Sequence, residues 1–198
     1  MIKNVFRVYA AATLVVLSFA ANSFVQAAST SDFSNISIKN FGQMDDRFYR
    51  GAQPKPDEYK ELKDLGVNTV IDLREDPTSY EKSAVESLGM RYINIPMKDT
   101  SYPKAENIDA FLKLANDPDT GVFFVHCKGG KHRTGVMGAA YRFTKYGWDY
   151  DQVYNEMLKF DFYTSWGHGP MKDFVVDYAK KMKEARAQTA VNQTQTGN

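Results

Sequence analysis

The stretch VFFVHCKGGKHRTG, residues 122–135, restricts the possible folds more than any other part of the chain. It begins with a continuous, mostly apolar run that ends at Cys127, as is typical of a strand buried on both faces. A helix is predicted to begin near Thr134, so the glycine-rich loop lies between a strand and a helix N-terminus. Buried strands of this kind occur in sheets that helices cover on both sides, which indicates an α/β domain.

Strands and helices alternate through the rest of the chain, which favours parallel strand pairs. We predict a small, central, mostly parallel sheet of four or five strands flanked by helices. The predicted strands cover residues 48–50 (an edge strand ending at Gly51), 67–74, 90–96 and 122–127. The predicted helices cover residues 55–66, 79–89, 104–117, 134–147, 149–160 and 169–185.

The two ends of the chain are predicted to lie outside the folded domain. Residues 1–27 carry two early basic residues, an apolar run from Val8 to Ala21 and the sequence VQA, with small residues at positions 25 and 27, which is the layout of a secretory signal peptide. The apolar run is short against the ~20 residues of a membrane span, which favours cleavage, after Ala27 or Ala28, over a retained anchor. We predict a signal peptide over 1–27, a flexible lead-in over 28–40, one domain over 41–184 and a disordered tail over 185–198.

A cleaved signal peptide predicts export across the inner membrane, which means the periplasm in a bacterium with two membranes. It also predicts that the mature protein has no stable membrane association. The formal charge of +1 gives no reason to expect nucleic-acid binding, so any attraction for an anion must be local. Cys127 is the only cysteine, which excludes an intramolecular disulfide and a zinc site built on cysteine pairs. An unpaired thiol in an oxidising compartment is either buried and inert or functional.

The glycine-rich loop has the features of an anion site. Free backbone N–H groups and the helix dipole favour negative charge at a helix N-terminus. Gly129 and Gly130 allow backbone angles that turn successive N–H groups inward, and neighbouring basic side chains add positive charge. The predicted phosphate-binding residues are Lys128, Gly129, Gly130, Lys131, His132 and Arg133.

Cys127 is placed to be the nucleophile at the base of this loop. The positive potential of the helix N-terminus and the loop N–H groups lowers the pKa of a thiol, and a thiolate attacks phosphorus readily. Arg133 presents a planar fork for two phosphate oxygens, while the Thr134 hydroxyl stabilises the departing thiolate. His126 is expected to orient the loop through hydrogen bonds. The alternative is a buried structural thiol, but such a thiol needs neither the arginine nor the paired glycines.

The spacing H-C-x-x-G-x-x-R-T-G, from His126 to Gly135, resembles the signature of the cysteine-dependent protein tyrosine phosphatases, in particular the dual-specificity branch. FYRGAQP (48–54) and VNTVIDLR (67–74) are similar to segments of the atypical plant and fungal group, some of which hydrolyse inositol pyrophosphates. The residues from Tyr141 to Met157 resemble exported bacterial tyrosine phosphatases. The resemblance covers most of residues 41–178 and identifies 41–184 as a phosphatase domain.

The resemblance implies a phosphoric monoester hydrolase with a cysteinyl-phosphate intermediate and an aspartate acid on an upstream loop. Asp99, which follows a predicted strand, is the best candidate to protonate the leaving oxygen and then activate water. The alternative is that Asp99 is an ordinary turn or cap residue without a catalytic role. Asp72 lies inside a predicted strand and Asp109 on a helix, which makes both weaker candidates. Asp72 and Arg74 close a strand, where open α/β sheets bind ligands, so one role for them is to face the site; a structural ion pair is the favoured role.

The substrate class stays open between two candidates. A phosphotyrosine or dual-specificity protein substrate is favoured, and an inositol polyphosphate or pyrophosphate is the alternative because Lys128, Lys131 and His132 concentrate positive charge. The residues from Asp161 to Pro170 form an aromatic-rich loop that either lines the pocket or, as we slightly favour, packs as a core corner.

Other functions fit the residues less well. Arg133, Thr134 and Gly135 at the start of a helix argue against a rhodanese-like sulfurtransferase. An inactive phosphate-binding module would normally have lost Cys127, Arg133 or the acid, whereas all three can be assigned in this chain. The nucleotide P-loop motif is broken at His132 and Val125. No spacing rule supports a metal site from the three histidines. We expect no cofactor, no metal and a monomer.

Overall fold

The computed structural model describes residues 33–196, and within them a five-stranded sheet lies between two layers of helices. The predicted signal peptide, residues 1–27, lies outside the described residues. Within residues 33–196 there is no helix both long and apolar enough to cross a membrane.

The sheet confirms the predicted fold class. Its strand order is β1-β2-β5-β3-β4, and only β1 with β2 is antiparallel. The strands are β1 Gly42–Gln43, β2 Phe48–Ala52, β3 Thr69–Arg74, β4 Arg91–Met97 and β5 Phe123–Cys127. The apolar run before Cys127 forms the central strand, and all five of its residues are buried.

The prediction that residues 48–50 form an edge strand is wrong. β2 pairs with β5 along its whole length and with β1 on its other side, and all five of its residues are buried. Its outer neighbour β1 has only two residues. A strand of that length leaves no periodic pattern in the sequence, so it could not be predicted.

The helices follow the predicted order. They are α1 Tyr59–Asp64, α2 Glu81–Ser87, α3 Ala105–Asn116, α4 His132–Tyr141, α5 Tyr150–Lys159 and α6 Gly169–Thr196. Of these, α1, α2, α3 and α5 are shorter than predicted, α4 begins two residues earlier, and α6 is longer. After α4 the chain continues as a π-helical turn, Arg142–Tyr146, and leaves the helix at Gly147, whose φ is 65°. Gly147 therefore ends the helix as the sequence predicts.

Two hydrophobic clusters cover the two faces of the sheet, and β5 contributes to both by alternation. Phe123, Val125 and Cys127 join the cluster that α3, α4, α5 and α6 cover, whereas Phe124 joins the cluster on the side of α1 and α2. Because successive side chains of a strand point to opposite faces, Cys127 faces α4 and His126 faces the α2 side.

The structure differs from the sequence prediction at both ends of the domain. The lead-in predicted as flexible packs on the domain over its described part, where Ile38 is buried and Phe33 meets the ring of Tyr49 at 5.9 Å. Helix α6 continues to Thr196, where a disordered tail was predicted from residue 185. No glycine or proline follows Pro170 up to Thr196, so nothing in the chain interrupts the helix.

Candidate active site

The thiol of Cys127 lies at the carboxyl end of β5, where the loop to α4 begins, and the residue is only 3% exposed. Burial alone raises the pKa of this thiol. The Thr134 hydroxyl, the Arg133 charge and the backbone N–H groups of Thr134 and Gly129 outweigh burial and lower the pKa below its ordinary value. The surroundings therefore favour the thiolate.

The loop around the sulfur rests directly on β2. Gly130 has a φ of +67°, and a Cβ at this position would overlap the carbonyl carbon of Gly51. The Gly130 carbonyl accepts hydrogen bonds from Arg50 Nη2 at 2.7 Å and Asn40 Nδ2 at 3.1 Å. Asn40 Nδ2 also lies within 3.3 Å of the Gly129 carbonyl. With the carbonyls engaged from outside, the loop's N–H groups are free to face the sulfur and an anion.

The Arg133 guanidinium is buried beside the loop and joins it to the segment after β4. Its Nη1 donates to the Met97 carbonyl at 3.2 Å, and its Nη2 lies 3.1 Å from Asp99 Oδ1. Nε has no hydrogen-bond partner. One edge of the guanidinium is thus held by protein, and the other holds a carboxylate that a phosphate oxygen can replace.

Asp99, the predicted acid, lies on the loop after β4 with its side chain 55% exposed. Besides Arg133, its Oδ1 lies 4.0 Å from His168 Nε2. The competing candidates lie elsewhere: Asp72 is fully buried and its pKa is raised by burial, and Asp109 is exposed on α3. Of these three acids, Asp99 is the one that contacts Arg133.

His126 is fully buried on the opposite face of β5. Its Nε2 lies 2.6 Å from Glu81 Oε1, and its Nδ1 lies 3.9 Å from Asp72 Oδ1. Burial alone lowers the pKa of His126, but Glu81 and then Asp72 outweigh it and raise the pKa, which favours the imidazolium. These three side chains are a possible ligand group, yet 2.6 Å is a direct hydrogen-bond distance and leaves no room for an ion between those two atoms.

The favoured ion pair between Asp72 and Arg74 is wrong. Asp72 Oδ1 accepts only the backbone N–H of Arg74, and the Arg74 guanidinium instead meets Asp76 at 3.3 Å and Gln53 at 3.0 Å. Asp72 is instead the register partner of His126 on the neighbouring strand β5, and the pairing of β3 with β4 is irregular between Asp72 and Arg74.

The prediction that His132 adds positive charge to the phosphate site is wrong. Its ring stacks on His168 with centroids 3.5 Å apart and meets the edge of Tyr163. Burial, followed by the charge of His168, lowers the pKa of His132 to about 4, so the ring is neutral at pH 7. Lys131 Nζ lies 3.3 Å from Asp161 Oδ2, which balances part of its charge, while Lys128 is exposed.

The aromatic-rich loop from Asp161 to Pro170 has both of the roles considered for it. Phe162 is buried in the core, whereas Tyr163 and His168 surround His132 at the edge of the site. Trp166 is the most exposed large apolar side chain of the described residues, at 86%.

Four residues near the site were not predicted: Asn40, Arg50, Glu81 and His168. Arg50 carried the clearest signal, because a charged residue inside an otherwise apolar strand needs a buried partner. Glu81 looked like an ordinary acid in the first turn of a helix. Nothing in the sequence pattern indicated that Asn40 would reach a loop about ninety residues away.

The family model described as "PTP-NADK: DSP-PTPase phosphatase fused to NAD+ Kinase" matches residues 18–194. The chain belongs to this family. The PTP-NADK match confirms the predicted membership of the cysteine-dependent tyrosine phosphatase superfamily in its dual-specificity branch.

Relatives of this PTP-NADK member are named for two kinds of activity. The dual specificity protein phosphatase TpbA of Pseudomonas aeruginosa UCBPP-PA14 is 28% identical over 120 residues, covering 61% of this chain and 54% of TpbA. The inositol diphosphatase DSP3 of Arabidopsis thaliana is 29% identical over 126 residues, 61% of each chain. The match thus spans little more than half the length of these relatives.

Solved structures show the same fold. The crystal structure of P. aeruginosa TpbA has a TM-score of 0.63 and 26% identity, covering 76% of this chain and 92% of that one. The core catalytic domain of the PP-IP phosphatase SIW14 from S. cerevisiae, in complex with citrate, has a TM-score of 0.65 and 19% identity. It covers 77% of this chain and 93% of that one.

Proposed function

We propose that this protein hydrolyses phosphomonoesters through a cysteinyl-phosphate formed on Cys127, and that phosphorylated proteins, phosphotyrosine in particular, are its favoured substrates. One observation carries the proposal. The only thiol of the chain is buried at the end of β5 with a lowered pKa, within a loop that Arg133 closes. An inert core thiol has a raised pKa instead.

In the first step, the Cys127 thiolate attacks phosphorus and the bond between phosphorus and the ester oxygen breaks. Arg133 and the loop N–H groups hold the three remaining oxygens, whose charge they stabilise. Two phosphate oxygens take the place of Asp99 on the Arg133 guanidinium. This exchange frees Asp99, in its protonated form, to give its proton to the leaving oxygen.

In the second step, the Asp99 carboxylate takes a proton from water while the water oxygen attacks phosphorus. The bond between phosphorus and sulfur breaks, and the Thr134 hydroxyl, which lowers the pKa of Cys127, favours the thiolate that leaves. Orthophosphate leaves, and Asp99 is protonated again for the next cycle. Every group in this cycle belongs to the chain or the substrate, so we propose a reaction without a cofactor, performed by a monomer.

The surroundings of the loop support a protein substrate. His132 is neutral, and Asp161 balances part of the charge of Lys131, which leaves less positive charge for a polyanion than the three basic residues suggest. The exposed rings of Tyr163 and Trp166 offer apolar surface on the neighbouring loop. TpbA, the relative described above, is named a dual specificity protein phosphatase and has been solved in complex with pTyr.

An inositol polyphosphate or pyrophosphate is the second candidate. Lys128 and Lys98, next to Cys127 and Asp99 in the chain, are exposed and have no ion-pair partner among residues 33–196. The names of DSP3 and SIW14 point to the same class.

A direct comparison of substrates tests this choice. We expect kcat/KM for a phosphotyrosine peptide to exceed that for inositol hexakisphosphate and for an inositol pyrophosphate by about tenfold or more, because the net positive charge of the site is small. Phosphate release would be measured for all three on one preparation. A higher value for an inositol substrate would reverse the assignment, and failure to hydrolyse any of them, or p-nitrophenyl phosphate, would leave a phosphate-binding module.

We also propose that the protein is exported to the periplasm by residues 1–27. Cell fractionation and N-terminal sequencing of the full-length product test this. We expect periplasmic protein that begins at Ala28 or Ser29, since small residues precede both positions. Recovery of the intact N-terminus in the cytoplasmic fraction would contradict the proposal.

A further inference from the structure

Arg50, in the middle of β2, is the largest fully buried side chain of the described residues and is 1% exposed. Its Nη2 donates to the Gly130 carbonyl, and its guanidinium carbon lies 4.0 Å from the ring centroid of Phe160. Its Nε has no hydrogen-bond partner. Within residues 33–196, no carboxylate forms an ion pair with Arg50, which leaves a buried positive charge without the usual partner.

A neighbouring arginine shows the usual arrangement. Arg142 is also buried, and its guanidinium meets both oxygens of Glu156 at distances of 2.6 to 3.1 Å. Removing a charge from water is costly unless an opposite charge compensates it. Burial lowers the pKa of Arg50 only to about 10, so its side chain stays charged at neutral pH.

Among the negative charges that act on Arg50, the thiolate of Cys127 stabilises the charged guanidinium most, more strongly than Glu156 does. Arg50 lies on β2 and Cys127 on β5, and these two strands pair. Their respective neighbours in the chain, Gly51 and His126, are register partners. The Arg50 guanidinium thus lies against the outer side of the loop whose inner side holds the sulfur.

We propose that Arg50 is a second arginine of the phosphate site, a positioning residue whose buried charge is balanced by the anion that the loop holds, either the Cys127 thiolate or a bound phosphate. This inference rests on the proposed function, because it assumes a thiolate at Cys127. Arg50 acts through the loop: it orients the Gly130 peptide and adds positive potential from behind, whereas Arg133 contacts the phosphate itself.

The Arg50 guanidinium packs beside two glycines of α4. Gly138 and Gly135 of α4 face it, and a Cβ at either position would lie 3.5 Å from Arg50 Nη1 or 4.0 Å from Nη2, respectively. Asn40 donates to the same Gly130 carbonyl and to the Phe160 carbonyl, which ties together the residues that surround Arg50.

Other charged groups also act on this region, so the test must isolate Arg50. The charged and titratable groups that face Arg50 or Cys127 from the surrounding elements are Arg133 of α4, His126 of β5 with Glu81 of α2 and Asp72 of β3, Arg142 of the π-helical turn, and Glu156 of α5.

The rate of Cys127 alkylation by iodoacetamide as a function of pH provides the test. The chain has one cysteine, so the rate reports the Cys127 thiolate alone and requires no phosphatase activity. The variants are Arg50→Gln, which keeps a hydrogen-bond donor without the charge, and Arg50→Lys, which keeps the charge. Arg47→Gln is the matched control, because Arg47 precedes the same strand and also donates to backbone carbonyls, those of Gly121, Ala115 and Asp117, far from the loop.

We expect Arg50→Gln to raise the pKa of Cys127 by about one unit. The same variant should weaken about tenfold the inhibition of this alkylation by orthophosphate. Arg50→Lys should keep the wild-type pKa, and Arg47→Gln should keep both quantities even if it lowers the melting temperature. An unchanged pKa in folded Arg50→Gln overturns the inference and leaves the proposed function intact. An ordinary pKa in the wild type overturns both.

If Arg50→Gln does not fold, Arg50→Lys decides alone. A wild-type pKa in this variant supports the role of the charge. A pKa raised by about one unit, with the positive charge still in place, shows that shape rather than charge is what the loop requires and overturns the inference.

Discussion

Replacement of Cys127 by serine is expected to lower the turnover of p-nitrophenyl phosphate by about four orders of magnitude or more. A serine hydroxyl stays protonated at pH 7 in surroundings that ionise a thiol, and the chain contains no second cysteine to replace the nucleophile. The loop N–H groups and Arg133 are unchanged by the substitution. Orthophosphate should therefore still bind, and turnover and the phosphate-dependent rise in melting temperature are the two measurements.

The pH dependence of kcat/KM in the wild type is a second test of the role of Cys127. Because the pKa of Cys127 is lowered, the thiolate persists below the ordinary thiol range, and kcat/KM should fall only as the pH drops through that lowered value. Cys127→Ala is the companion variant, since it has no oxygen that could form a slow phosphoester. Substantial turnover in either variant, or an unchanged melting temperature with phosphate, would contradict the assignment.

The parts of the site that are continuous in sequence could be predicted, because their physics is local. An apolar strand, two glycines and a helix N-terminus define the loop, and alternation along β5 directs Cys127 and His126 to opposite faces. The strand order of the sheet was not predicted beyond its mostly parallel character. The order matters for the site, because only the pairing of β2 with β5 brings Arg50 under the Gly130 carbonyl.

The contacts that cross the fold could not be predicted from a local pattern. Asn40 reaches the loop from the lead-in, which its polar composition suggested would be flexible, and it is held there because Phe33 and Ile38 pack on the domain. His168 reaches Asp99 and His132 from the loop before α6. Each of these contacts depends on tertiary packing, which sequence periodicity does not encode.

The effective charge of the site also could not be predicted from the sequence. A count of basic residues around Cys127 suggests a strongly positive loop. The structure pairs Lys131 with Asp161 and buries His132 against His168, so that only part of the formal charge acts on a ligand. Local charge thus depends on neighbours and burial as much as on composition. This is why the favoured substrate stays a protein.

Replacement of Asp99 by asparagine is expected to lower kcat roughly 10²- to 10⁴-fold for a phosphoester with a poor leaving group. Asparagine cannot give a proton to the leaving oxygen, and the loss should be smaller for p-nitrophenyl phosphate, whose leaving group needs less protonation. The sign of the pH effect follows from the same role. Asp99 must be protonated in the first step, so the wild-type rate declines as the pH rises, and Asp99→Asn should remove that decline while it keeps the acidic limb.

Asp161→Asn is the matched control for this prediction. Asp161 is also an exposed carboxylate paired with a basic residue of the loop, and its φ of 56° is one that asparagine tolerates well. We expect this variant to keep both limbs of the profile, because its carboxylate meets Lys131 and not Arg133. If Asp99→Asn kept the alkaline decline, or if Asp161→Asn lost it, the acid would have to be assigned to another residue. His168, 4.0 Å from Asp99 Oδ1, would be the first to test.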